Sequence, residues 1–241
     1  MKIIVVDNYN EMSKKAANII ASCIVLKPNS VLGLATGSTP LGVYKELIKL
    51  YENSDVDFSN VCTFNLDEYY GITKDNDQSY SYYMKENFFK HVNLKEENTH
   101  IPDGTCKNVD TMCQSYEDII KQHGGIDVQI LGIGQNGHIG FNEPDDKFVA
   151  DTHLVKLKED TVNANSRFFE TIEDVPKEAV SMGIKAIMKA KKIILIANGI
   201  NKAEAIYKTI KEDVTPEVPA SILQFHSDVT VIVDKEAASK L

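Results

Sequence analysis

Ile126-Asp127-Val128-Gln129-Ile130-Leu131 runs straight into Gly132-Ile133-Gly134-Gln135-Asn136-Gly137-His138-Ile139-Gly140-Phe141-Asn142-Glu143-Pro144. The first six residues form an apolar run of strand length. The next nine hold four glycines, where the backbone can turn sharply and approach a ligand. One imidazole, His138, stands in that frame, and one carboxylate, Glu143, follows five residues later. So permissive a loop has little packing role, and these two side chains point to chemistry. Gly132-x-Gly134-x-x-Gly137 fits the dinucleotide fingerprint, but that fingerprint needs a helix opening at its end. Here the glycines lead into loop closed by Pro144-Asp145-Asp146, so no nicotinamide or flavin site is expected. The plainer reading is a glycine-rich turn with a solvated histidine. Glycine-rich loops at strand ends of α/β proteins more often carry function.

Outward from this stretch, strand-like and helix-like segments alternate. Strands are expected over residues 3–6, 31–35, 61–66, 126–131, 152–157, 192–197 and 229–233. Helices are expected over residues 11–26, with Asn10 as N-cap, and over 41–51, 79–90, 111–122, 161–170, 184–190 and 202–211. A helical turn follows over 221–226. Pro40 suits the first turn of its helix, and Gly124-Gly125 ends another. The alternation predicts an α/β fold: a doubly wound, mainly parallel sheet with helices on both faces. It is Rossmann-like without being dinucleotide-binding. One domain over residues 1–241 is the simpler reading, with the weakly patterned residues 151–183 as a lid.

Composition narrows the partners. Net charge is −9, and no basic block exceeds a short pair, which disfavours nucleic acid. An anionic metabolite then requires a few well-placed basic residues. Cys23, Cys62, Cys106 and Cys113 show no zinc-like spacing, and Cys23 and Cys62 sit in apolar segments that suit core thiols. The pattern fits a reducing cytosol, and no apolar run approaches a membrane span or signal core. A cytoplasmic protein with no membrane partner is expected.

In such sheets ligands bind beyond the carboxyl ends of the strands, where the sharpest features fall. Thr36-Gly37-Ser38-Thr39-Pro40 is either an anion cradle at a helix N-terminus or an ordinary capped start. It lacks the Gly-Lys-Ser/Thr of a nucleotide-binding loop. Asp67-Glu68 places two adjacent carboxylates pointing opposite ways, one free to act as base while the other serves structure. Alone it would read as a solvated turn. His138 can move protons near neutral pH, Glu143 can fix its tautomer, and Asn136 can donate or accept without charge. Arg167 is the only arginine among 26 basic residues, which favours a phosphate ligand over a generic surface role. Lys202 opens a helix after a strand and can serve as a point charge, though lysines are common here.

Five segments together resemble the glucosamine-6-phosphate deaminase family. They are Leu34-Ala35-Thr36-Gly37-Ser38-Thr39-Pro40, Phe64-Asn65-Leu66-Asp67-Glu68-Tyr69-Tyr70-Gly71, Gly134 through Pro144, Ala164-Asn165-Ser166-Arg167-Phe168-Phe169 and Gly199-Ile200-Asn201-Lys202-Ala203. They occur in the family's order and cover about residues 1–233. The resemblance implies conversion of glucosamine 6-phosphate to fructose 6-phosphate and ammonia without metal or organic cofactor. It implies that His138 opens the sugar ring, with Glu143 and Asn136 setting its charge and orientation. Asp67 would carry the C2 proton to C1, and Gly37, Ser38, Thr39, Arg167 and Lys202 would hold phosphate.

Many relatives carry Asp where this chain has Asn136, which bears on the pH profile. Larger regulated relatives add a C-terminal extension and basic residues where this chain reads Thr152-His153-Leu154-Val155. Little allosteric control and a monomer or low-order homo-oligomer are therefore expected. The rivals are a 6-phosphogluconolactonase-like hydrolase, which usually has Asp-Glu-Arg in place of Asp67-Glu68-Tyr69, and a non-catalytic sugar-phosphate sensor.

Overall fold

In the computed structural model, residues 1–241 are described, the side chain of Phe168 excepted. Seven parallel strands form the main sheet, in the order β1-β10-β9-β6-β2-β3-β5. They are β1 (Lys2–Val6), β2 (Val31–Leu34), β3 (Cys62–Asn65), β5 (Thr99–His100), β6 (Val128–Leu131), β9 (Lys192–Ala197) and β10 (Val229–Asp234). A separate antiparallel sheet, in the order β4-β8-β7, is built from β4 (Asp67–Tyr69), β7 (His153–Lys156) and β8 (Glu178–Ser181).

Helices cover both faces of the main sheet, as the alternation requires. They are α1 (Tyr9–Leu26), α2 (Leu41–Glu52), α3 (Tyr80–Asn87), α4 (Val109–Gln122), α5 (Glu159–Asn165), α6 (Ile184–Met188) and α7 (Ala203–Lys211). Strand β9 shows why the central strands are apolar throughout. Ile193 and Leu195 enter one core, with residues of α4, α6 and α7. Ile194 and Ile196 enter the other, with residues of α1, α2 and α3. A strand buried on both faces needs no polar alternation.

Several expected boundaries move. Asn10 is not the N-cap of α1: Tyr9 and Asn10 lie inside the helix, and Asn8 Oδ1 accepts from Glu11 N at 3.1 Å. Glu11 in turn accepts from the N–H of Asp7, one residue before the cap. Helix α4 starts at Val109 because Asn108 caps it. The expected helix over 161–170 is α5 followed by a 3-10 turn at Ser166–Phe168. The helical turn expected over 221–226 is a 3-10 stretch from Pro219 to Phe225, and His226 lies just past its end. Cys62 is buried in one core, and Cys23 is half-buried and packs against the other.

Strands β4, β5 and β8 have no counterpart in the sequence reading. β4 and β5 are three residues or fewer, too short for a period to register, and β8 reads Glu-Ala-Val-Ser, with no apolar run. They matter functionally. β4 begins at Asp67, one residue past β3, so Asp67 sits where the chain leaves the main sheet for the small one.

Candidate active site

Strands β9, β6, β2 and β3 are consecutive neighbours in the sheet and all parallel. Their carboxyl ends therefore open side by side into the segments around Asn198, Gly132, Thr36 and Asp67. A cleft of about 1040 Å³ lies above them. Gly37, Ser38, Thr39, Asp67, Asn136, His138, Arg167 and Lys202 all line it. Of the expected site residues only Glu143 stands back from the cleft wall.

Asp67 is 6% exposed, and burial, followed by the nearby Glu68, pushes its carboxyl up to about 8. No hydrogen bond neutralises it among those of the described residues, and it lines the cleft. Glu68 points the other way. Its carboxylate accepts from the N–H groups of Tyr69, Tyr80 and Ser81 at 2.8–2.9 Å, pinning the start of α3. Burial still raises its pKa against those bonds. The doublet thus divides as strand geometry requires: one carboxylate for the cleft, one for structure.

His138 is held by its own loop. Its ring lies so close to Gly134 that a Cβ there would come 2.4 Å from the imidazole, which explains a glycine at that position. His138 Nδ1 faces Glu143 Oε2 at 3.4 Å, longer than a formed hydrogen bond. Asn136 bridges the pair: its Nδ2 donates to Glu143 Oε2 at 2.8 Å, and its Oδ1 accepts from His138 N at 3.2 Å. Burial works to raise the Glu143 pKa, but the neighbouring His138 and Asn136 hold it below the usual range. A buried carboxylate behind Nδ1 leaves Nε2 as the nitrogen for proton transfer. Phe141 N donates to Ser181 Oγ, and Asn142 Nδ2 donates to Met182 O, so the β8 end anchors this loop.

The expected anion cradle draws its residues from distant segments. Gly37 adopts φ +107°, turning the chain from β2 toward α2. Tyr83 donates to Gly37 O at 2.6 Å and Tyr9 donates to Ser38 O at 3.1 Å. Arg167 Nη2 donates to Ser38 Oγ at 3.2 Å. Thr39 Oγ1 donates to Asn198 Oδ1 at 2.9 Å, tying the loops after β2 and β9 together. Asp234 accepts from Gly199 N and fixes the turn that presents Lys202. Burial, with Arg167 nearby, lowers the Lys202 ammonium to about 8. Two cations brought close together at the cleft wall are suited to a dianionic group.

Sequence reasoning missed Tyr9, Tyr83, Asn198 and Asp234. Tyr9, Tyr83 and Asp234 act on backbone groups of the site loops and Asn198 on the Thr39 hydroxyl, and no local motif marks them. Expected lid residues 151–183 include β7, α5 and β8, and Asp160, Thr161 and Asn163 of α5 line the cleft beside Arg167.

A parallel α/β sheet with two cations, a buried carboxylate and an oriented imidazole in one cleft at its strand ends is equipped to take an anionic small molecule and move protons on it. The chain belongs to the family of glucosamine-6-phosphate isomerases/6-phosphogluconolactonases, whose model matches residues 7–232. It is 63% identical to a glucosamine-6-phosphate deaminase of Clostridium acetobutylicum, with all of both chains covered. It is 61% identical to one of Clostridioides difficile, covering all of this chain and 97% of the other. A solved monomeric glucosamine-6-phosphate deaminase superposes with a TM-score of 0.98 at 46% identity, with both chains wholly covered. A 6-phosphogluconolactonase of Thermotoga maritima shares the fold, with a TM-score of 0.78 at 19% identity over 97% of this chain and 99% of that one. Among the described residues, no helix is long and apolar enough to cross a membrane.

Proposed function

We propose that this protein is an enzyme that converts glucosamine 6-phosphate and water to fructose 6-phosphate and ammonia. The observation that carries this reading is the convergence, in one cleft, of Asp67, His138 and the Gly37–Thr39, Arg167 and Lys202 cradle. The 6-phosphate sits on the N–H groups of residues 37–39, with Arg167 and Lys202 neutralising it. His138 takes the proton of the C1 hydroxyl and returns one to the ring oxygen, opening the pyranose. Asp67 removes the C2 proton and delivers it to C1, turning the aldehyde carbon into an alcohol and C2 into an imine. Water adds to C2 and ammonia leaves, giving the ketone. No step changes the net oxidation state, so proton transfers and one hydrolysis complete the balance.

The chain acts as one domain in which residues 151–183 close over substrate and bring Arg167 onto the phosphate. It works in the cytoplasm as a monomer or low-order oligomer, a reading supported by the likeness to a monomeric relative. The deciding assay measures ammonia released from glucosamine 6-phosphate against hydrolysis of 6-phosphogluconolactone. Lactone hydrolysis without ammonia release would replace the deaminase reading.

Arg167→Ala and Lys202→Ala should each raise KM for the sugar phosphate. A charged hydrogen bond is worth about 1.5–3 kcal/mol, roughly a 10- to 150-fold loss. Lys202 adds a pH signature. Because its ammonium titrates at about 8, the cradle loses a charge as pH rises through that value, and kcat/KM falls on the alkaline side. Lys202→Ala should remove that alkaline fall, whereas Arg167→Ala should keep it. Unchanged KM in both variants excludes the cradle.

Hyperbolic kinetics are expected, with no activation by N-acetylglucosamine 6-phosphate, because a ligand without differential affinity shifts no equilibrium. A smaller cleft, lined by Lys147, Lys156 and Lys158, lies behind Glu143. Its lysines fall outside the stretch 152–155 on which the sequence expectation rests. A sigmoidal curve made hyperbolic by that ligand would overturn the expectation and place the effector in this second cleft.

A further inference from the structure

Cys62, His100 and His123 are 38 and 61 residues apart, counting from Cys62, and no spacing rule links them. The fold nevertheless brings one ligand-capable atom of each within 4.8 Å of the other two. Cys62 opens β3, and Phe64, two residues on, faces the same side of the sheet. His100 ends the edge strand β5, paired with Phe64 in register, and its ring stacks on Phe64 at 4.5 Å. His123 caps the end of α4, which covers that face, and its ring centroid is 5.4 Å from that of His100.

Three details go beyond packing. The His100 Nε2 atom is buried and has no hydrogen-bond partner. An unsatisfied buried polar atom calls for a physical reason, and an ion is one of the few available. His123 Nδ1 meets Ile119 O at 2.9 Å, so this nitrogen donates and Nε2 keeps its lone pair. That is how ligating histidines are oriented by a backbone carbonyl. The Cys62 thiol completes the set with a soft donor, and its sulfur is not in a disulfide.

We propose that Cys62, His100 and His123 form a binding site for a soft divalent transition-metal ion, Zn²⁺ in the first instance, separate from the catalytic cleft. One thiolate and two imidazoles suit zinc, with water from the exposed His123 side as fourth ligand. On binding, the Cys62 S–H proton is released to solvent and the sulfur forms the metal bond, so affinity rises with pH. Tetrahedral ligation at ordinary zinc bond lengths puts ligand atoms about 3.3–3.7 Å apart, so the three groups close by roughly 1 Å. The consequence is structural. The ion ties the short edge strand β5 and the end of α4 to the first residue of β3, and none of the three ligands lines the cleft. At about 3.3 Å per residue along the chain, Asp67 lies on the order of 15 Å from Cys62.

The test uses the full chain, stripped of metal and titrated with Co²⁺ as a spectroscopic probe. One equivalent should produce a thiolate-to-cobalt charge-transfer band with tetrahedral d–d absorption, displaced by Zn²⁺. Zn²⁺ should also raise Tm by mass action. His123→Ala is exposed and leaves the core intact. It should abolish the band and weaken Zn²⁺ binding by more than about 100-fold, beyond the 10- to 100-fold cost of losing an outer partner. Cys62→Ser should do the same. Ammonia release should be the same in His123→Ala as in the parent, so a failed deaminase assay and a failed metal titration are read separately. A Co²⁺ spectrum unaltered in His123→Ala, or Zn²⁺ affinity weaker than about 100 µM in the parent, overturns the site.

Discussion

Asp67→Asn is expected to lose about 10²- to 10⁴-fold in kcat while KM changes little, the usual cost of removing a general base. The amide keeps the shape of the carboxyl and cannot accept the C2 proton. A structural role for Asp67 predicts the opposite pattern, and stability distinguishes the two. Burial pushes the Asp67 carboxyl from 3.8 up to about 8. Between those values the folded protein holds a proton that the unfolded chain has released. Stability therefore falls as pH rises through that window, because the unfolded state binds fewer protons there. Asn carries no such proton. Asp67→Asn should thus raise Tm, and by more at pH 8 than at pH 5. A variant that loses turnover and gains stability marks a residue kept for chemistry at the expense of the fold. Near-parent turnover, or a fall in Tm, defeats the assignment of Asp67 as the base.

The same shift governs the acid limb of activity. The free enzyme must ionise Asp67 before it can take a proton, so kcat/KM should rise with pH toward about 8. Lys202 must be protonated to hold phosphate and titrates in the same region. The two limbs meet, and a narrow optimum near 8 follows for kcat/KM.

How much of this was legible in the chain follows from where the information sits. The parallel α/β fold was readable because β2, β6, β9 and β10 are apolar runs between amphipathic helices, a periodicity set by burial on both faces. The cleft was readable because its loops sit at the carboxyl ends of those strands, and glycines mark the turns. What failed to register has no local signature. The small sheet of β4, β7 and β8 takes in β4 through pairs 110 to 114 positions apart, as in Asp67 with Ser181. Glu68 looked like half of an undifferentiated doublet, and its three N–H partners identify it only in three dimensions. The Tyr9 and Tyr83 clamps on residues 37–38 are side chain to backbone, so nothing in the clamped loop encodes them. Cys62, His100 and His123 meet only because β3, β5 and α4 are neighbours. Spacing rules for metals describe ligands that share one turn or hairpin, and these three share none.

His138→Gln is expected to cut turnover on glucosamine 6-phosphate by about 10²- to 10⁴-fold, as great a loss as at Asp67 but at a different step. The imidazole lies 20% exposed at the cleft, with the buried Glu143 carboxylate 3.4 Å behind Nδ1. That arrangement favours a proton on Nδ1 and leaves Nε2 to shuttle between the C1 hydroxyl and the ring oxygen. Glutamine fills similar space and donates a hydrogen bond but cannot accept and return a proton. The step can be bypassed by chemistry on the substrate. A 4,5-dideoxy analogue of glucosamine 6-phosphate has neither the C5 hydroxyl that closes a pyranose nor the C4 hydroxyl that closes a furanose, so it stays an open aldehyde. On that analogue His138→Gln should recover most of the parent rate, while Asp67→Asn should stay impaired, because C2 proton transfer remains. Glu143→Gln should follow His138→Gln in direction with a smaller loss, since it removes the charge behind the imidazole but keeps the imidazole itself. If the His138→Gln deficit is as large on the analogue as on the natural ring, His138 acts after ring opening and its assigned role is wrong.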